Sequence, residues 1–194
     1  MLIKSKASLV AKTIAVALPM LFAAQAQAAD GGTIAFSGNV TANTCNVSVS
    51  NTALTNSNTA TITLPSINAT SLSTSGAFGA TTQFTIGVAG CTGGNNAFVT
   101  TFSPAAADVS NTGKLINKAT SGAASNVVLE ILSSANTAVD LSKATATLQQ
   151  GLTTATSSIT NGTGSQIYKV QYLATGAATA GAVSASLPFT LTYQ

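Results

Sequence analysis

Ser186-Leu187-Pro188-Phe189-Thr190-Leu191-Thr192-Tyr193 places an apolar side chain at every odd position and Ser, Pro or Thr at every even one. A period of two with β-branched residues between the apolar ones is the pattern of a strand with one buried and one wet face. The same pattern occurs at the other end of the chain. There Ile34, Phe36, Gly38 and Val40 fall on one face, and Thr33, Ala35, Ser37 and Asn39 on the other. Between these stretches, residues 59–64, 83–89, 97–102, 126–132 and 167–174 read as further strands. Gly93-Gly94 and Asn161-Gly162 are turn signals. Pro104 followed by three alanines fits a single helical turn. Residues 48–58 and 153–164, rich in Ser, Thr and Asn, read as long loops or edge strands. Neither a repeat nor an interdomain linker is visible, so the pattern predicts one all-β sandwich.

Composition narrows the function. Of 194 residues, 45% are hydrophobic and only 6% charged, so apolar content is sufficient for a packed core although charge is sparse. All seven cations are lysines, and Lys4, Lys6 and Lys12 lie at the extreme N-terminus. Beyond them Lys114, Lys118, Lys143 and Lys169 balance Asp30, Asp108, Glu130 and Asp140, four against four. A neutral body offers no electrostatic footprint for nucleic acid.

The three N-terminal lysines, the apolar run at 13–24 and the small residues of Ala26-Gln27-Ala28 have the layout of a secretory signal peptide spanning residues 1–28. The run is shorter than the ~20 residues a membrane span needs, and Pro19 interrupts it. Export implies an oxidising compartment, where the pair Cys45 and Cys91 reads as a disulfide. Closing that loop stabilises the fold by about 4 kcal/mol on the chain-entropy model. The chain has no His, which removes the Ser-His-Asp triad, the Cys-His dyad and His metal ligation together. The four acids are scattered and read as isolated surface groups, and no phosphate-binding Gly motif precedes a helix. The inventory points away from an enzyme and calls for no cofactor or metal.

Two terminal amphipathic strands in one sandwich raise the question of what each pairs with. Gly32-Thr33-Ile34-Ala35-Phe36-Ser37-Gly38-Asn39-Val40 followed by Cys45 resembles the N-terminal extension and first cysteine of chaperone–usher pathway pilins, the type 1 fimbrial major subunit family. Gly181, fourteenth from the end, penultimate Tyr193 and the alternation between them resemble the C-terminal motif of the same family. Tyr172-Leu173-Ala174-Thr175-Gly176-Ala177-Ala178 resembles the segment preceding that motif in major subunits.

The resemblance implies an incomplete immunoglobulin-like β-sandwich, the pilin fold, lacking its last strand and completed by a donor strand from a neighbouring subunit. It divides the chain into residues 1–28, a donor extension at 29–41 and a pilin domain at 42–194. Gly32, Ile34, Phe36, Gly38 and Val40 become the donor strand; Gly181, Leu187, Phe189, Leu191 and Tyr193 become the groove edge met by a periplasmic chaperone. The implied partners are identical or related subunits in a homopolymer, that chaperone and an outer-membrane usher, and the implied location is a fimbrium on the cell surface. Only Ala29, Asp30 and Gly31 precede Gly32 after cleavage at Ala28, and Asp30 falls on the groove-facing side. The implied function is a structural subunit of an adhesive rod. The alternative is a minor or adaptor subunit or an adhesive binding module.

Overall fold

The computed structural model describes residues 45–54, 59–94, 96–143, 149 and 156–194, all within the unit Val40–Gln194. The signal peptide and the donor strand with Gly32, Ile34, Phe36, Gly38 and Val40 lie outside the described residues. Among those described are nine strands: β1 (Asn46–Val49), β2 (Thr52–Leu54), β3 (Phe78–Ala89), β4 (Ala97–Phe102), β5 (Leu115–Ile116), β6 (Val127–Ser133), β7 (Thr156–Ser158), β8 (Gly164–Ala174) and β9 (Phe189–Tyr193). They form a six-stranded sheet ordered β2-β1-β3-β8-β6-β5 and a three-stranded sheet ordered β7-β4-β9. Every neighbouring pair is antiparallel.

The inner faces of the two sheets meet over aromatic rings. Tyr168 of β8 is fully buried, stacked on Phe84 of β3 at 5.6 Å and met edge-on by Phe102 of β4 at 5.0 Å. Thr100 donates its hydroxyl to Gln166 Oε1 across the same interface (3.2 Å). Period two sorts β3 cleanly, with Phe84, Ile86 and Val88 buried and Gln83, Thr85 and Gly87 turned away from the core. Cys45 and Cys91 are joined as expected, fastening the start of β1 to the end of β3.

Several elements depart from the alternation pattern. Residues 48–58 contain the end of β1 and all of β2, a hairpin turned by Ser50 and Asn51 at positive φ. The β3 strand begins at Phe78 rather than Gln83. A bulge between Gly79 and Thr82 sets Ala80 at φ 51° and disrupts the period. Residues 59–64 alternate in burial yet lie in no strand. The helical turn forms at Ala106–Asp108, as one 3-10 turn.

The acids are not isolated. Each of the three described acids sits by a lysine: Glu130 by Lys114 at 2.9 Å, Asp108 by Lys118 at 2.9 Å, and Asp140 by Lys143 at 3.9 Å. The bond from Ser142 holds the Asp140 carboxyl below its ordinary value, with Lys143 and Lys114 adding to the effect. Glu130 belongs to a polar row on the outer face of the large sheet. Thr81 donates to Gln171 Oε1 (2.9 Å), and Gln171 Nε2 donates to Glu130 (2.8 Å), whose other oxygen faces Lys114. One step further along the strands, Phe78, Leu173, Val128 and Ile116 stand side by side as an apolar row.

Candidate functional site: an apolar cleft with two unpaired lips

The C-terminal segment alternates without a break from Ala182 to Gln194, the odd residues half-buried and the even ones exposed. Its last part, β9, pairs with β4 in the register Phe102↔Phe189 to Phe98↔Tyr193. Ala97 and Gln194 exchange both backbone bonds (2.9 and 3.2 Å), and Ser103 N–H donates to Pro188 C=O (2.9 Å). Even-numbered residues therefore turn their backbone groups to β4, and those of Phe189, Leu191 and Tyr193 point to the opposite edge. Pro188 faces β4 with no N–H to give. That is why the strand expected from Ser186 begins at Phe189.

The opposite edge borders a cleft of about 880 Å³. Its second lip is the extended segment 59–64, with Ala60, Ile62 and Leu64 turned inward. The floor comprises Phe84, Ile86, Leu115, Leu129, Ile131 and Val170 from the large sheet. Among the described residues neither lip has a ladder partner on the cleft side. A backbone edge without ladder partners along an apolar cleft is an unfinished sheet.

Of the groove-edge residues expected from sequence, Leu187, Phe189, Leu191 and Tyr193 all line the cleft. Burial raises the phenol pKa of Tyr193. Gly181 does not line it, lying instead against the loop at 122–124, where a Cβ would come within 2.5 Å of the Gly122 carbonyl and 2.7 Å of Ala123 C. Only a residue without a side chain fits there. Cys45 and Cys91 pack with Val88, Phe98 and Ile159 beside Leu191 and Tyr193, so the disulfide braces the far end of β9.

Sequence reading missed two polar side chains. Gln149, fully buried, accepts from Phe102 N–H (3.3 Å) and donates to Phe102 C=O (2.6 Å) and Lys143 C=O (2.9 Å). It acts as a one-residue strand beside β4, beyond the reach of β7, which pairs only with Ala97 to Val99. Asn117 donates to the carbonyls of Ala124 and Ala182 (both 2.9 Å) and accepts from the N–H groups of Ala119 (3.1 Å) and Ser184 (3.0 Å). An amide in a polar stretch gives no periodic signal, so only the fold reveals either role.

The site offers shape and backbone valence rather than reactive groups. Among the described residues there is no cluster of three or more His, Cys, Asp or Glu to hold a metal, and no helix long and apolar enough to cross a membrane. An apolar cleft between two extended edges without ladder partners defines a strand acceptor. Comparison with known proteins gives the family. A model described as "Fimbrial protein" matches residues 34–194. The major fimbrial subunit SMF-1 of Stenotrophomonas maltophilia (strain K279a) is 38% identical over 169 residues, covering 87% of this chain and 95% of that protein. The F17 fimbrial protein of Escherichia coli is also 38% identical over 169 residues, covering 84% and 87% respectively. Similar solved structures include a chaperone–usher pilus (TM-score 0.55, 18% identity, 84% of this chain and 96% of that one). Another is the P pilus rod subunit PapA (TM-score 0.53, 17% identity, 76% and 99%). The chain belongs to the fimbrial protein family and has its immunoglobulin-like pilin fold.

Proposed function

We propose that this chain is a structural, non-catalytic subunit of a chaperone–usher fimbria, exported to the cell surface and polymerised there into a rod that supports adhesion. The observation that carries the reading is the cleft, apolar inside and flanked by two lips with no strand between them among the described residues. The alternating segment at 32–40 supplies a strand of the matching kind from the same sequence. Residues 1–28 are the export signal, 29–41 the donor extension and 42–194 the acceptor domain. Before assembly a periplasmic chaperone occupies the cleft; at the outer-membrane usher the extension of the next subunit replaces it.

The exchange needs no nucleotide because an open cleft is itself the high-energy state. Seating Ile34 and Phe36 in a neighbour's cleft contributes about 3–6 kcal/mol before any backbone bonds form. The backbone groups of Phe189, Leu191 and Tyr193 then gain partners in place of water. Gly32, Gly38 and Val40 share the donor face, and the two glycines let the backbones approach closely.

A denaturing gel of material sheared from cells, run unboiled and boiled, tests the reading. Subunit multiples that collapse to one band only on boiling are expected of non-covalent, kinetically trapped strand exchange. Deleting residues 32–40 is expected to leave chaperone binding intact and abolish the ladder. Normal fibres from that deletion, or a single monomer band in both lanes, would overturn the proposal.

A further inference from the structure

The first half of the free edge, residues 182–188, has no strand beside it. β4 reaches only as far as the Ser103–Pro188 bond, and the loop at 117–124 is not a strand. Three backbone bonds tie the segment to that loop: Ala182 N–H to Gly122 C=O (2.7 Å), Ala124 N–H to Ala182 C=O (2.9 Å) and Lys118 N–H to Ser184 C=O (2.7 Å). Ser184 N–H goes to the side chain of Asn117 instead, and Ala182 C=O takes a second bond from that same side chain. The amide thus presents a donor and an acceptor to alternate residues, as the backbone of a neighbouring strand does. Its remaining capacity ties down the loop itself at Ala119 and Ala124, so all four of its hydrogen-bonding positions are used.

We infer that Asn117 is the positioning residue for the first half of the strand-accepting edge. The inference rests on the strand-acceptor reading of the cleft. Asn117 lies two residues beyond Leu115, which is part of the cleft floor and is fixed in the large sheet by its pairing with Leu129. Together with the single parallel bridge between Ala123 and Ala182 and the Lys118–Ser184 backbone bond, it therefore sets the distance between floor and lip where no continuous ladder does so. With Ala182 and Ser184 turned to the loop, Val183 and Ala185 direct their N–H and C=O groups to the open edge, in phase with Phe189, Leu191 and Tyr193. An incoming strand then meets one continuous row of backbone partners. Without the amide it meets an ordered second half and a loose first half.

The test uses the full chain without its signal peptide, disulfide intact, and a labelled synthetic peptide with the sequence of residues 29–41. Asn117→Asp keeps size and acceptor oxygens but removes both donors. Asn117→Ser removes the amide without adding charge, and covers the case in which the aspartate variant does not fold. Strand uptake slower by about tenfold or more is expected, the factor that one or two lost hydrogen bonds correspond to. In the peptide-bound state, hydrogen exchange should speed up at the amides of Val183 and Ala185 and stay slow at Leu191 and Tyr193. That gradient separates positioning from general destabilisation, which would loosen both halves alike. Wild-type uptake by both variants, or loss of protection spread evenly along the edge, overturns the inference. Failure of the unmodified chain to take up the peptide overturns the strand-acceptor reading and this inference together.

Discussion

Replacing Gln149 by Leu should destabilise the domain by about 0–5 kcal/mol, with a central value near 2.5, although no apolar contact is lost. Phe102 is 1% exposed, so its N–H and C=O cannot turn to water once the amide is gone. Orphaning a buried backbone group costs roughly 1–3 kcal/mol, and two are orphaned here. The leucine side chain recovers about 1–2 kcal/mol by its own burial, which gives the net range. Urea unfolding followed by circular dichroism under non-reducing conditions reads the change, since the chain lacks Trp. Gln149→Glu provides a second arm that a packing effect would not move. Protonated, the carboxyl can both donate to Phe102 C=O and accept from its N–H; ionised, it can only accept. Burial raises the folded-state pKa of such a group above its unfolded value of about 4.3. The stability it contributes is therefore present below that value and lost as pH rises through the higher folded pKa. Unchanged stability in the leucine variant, together with a pH-independent glutamate variant, would show that the amide does not act as a strand.

Three further outcomes follow from the same geometry. The Tyr168 hydroxyl is buried with no hydrogen bond of good geometry among the described residues, although Thr100 is close enough to temper its pKa; burial pushes that pKa up to about 12. Native stability should fall as pH rises from 10 towards 12, by about 3 kcal/mol for this group. Tyr168→Phe should flatten the decline and leave stability at neutral pH unchanged or higher; parallel pH curves would refute the assignment. Gly181→Ala should cost about 1–3 kcal/mol by overpacking against the backbone at 122–124, read as a lowered melting temperature, and an unchanged melting temperature would contradict the close approach. Tyr193→Ala should weaken chaperone capture in a pull-down more than it lowers the melting temperature, because its ring is half-buried at the cleft rim; undiminished capture would remove Tyr193 from the edge.

The alternating sequence made visible whatever depends on one face being buried. The alternation at residues 97–102 predicts a strand, and β4 has those bounds. Residues 59–64 alternate just as well, yet pair with nothing among the described residues, because periodicity reports burial on one side and is silent about hydrogen bonds. At the cleft that silence hid half the site: Ala60, Ile62 and Leu64 were legible as a strand but not as its second lip. The β1–β2 hairpin was obscured by Asn, Ser and Thr, which suit both an edge strand and a loop. The Gly79–Thr82 bulge hid the start of β3 by shifting the side-chain phase. Gln149 and Asn117 carry backbone-like bonds from side chains, and no repeat announces such a substitution.

The two neighbouring rows on the outer face of the large sheet also act as a check on alignment. A slip of β8 against β6 by two residues keeps every side chain on its own face, so the inside–outside pattern cannot detect it. The rows can. A slip one way sets Leu173 opposite Glu130 and Gln171 opposite Leu132; the other way sets Gln171 opposite Val128 and Leu173 opposite Asn126. The second slip hands Glu130 a second lysine, Lys169, beside Lys114, but takes away the amide of Gln171. Only the native alignment of β8 on β6 sets both Gln171 beside Glu130 and Leu173 beside Val128. The outer face of the large sheet thus proofreads an alignment that the period-two pattern of its buried face leaves open.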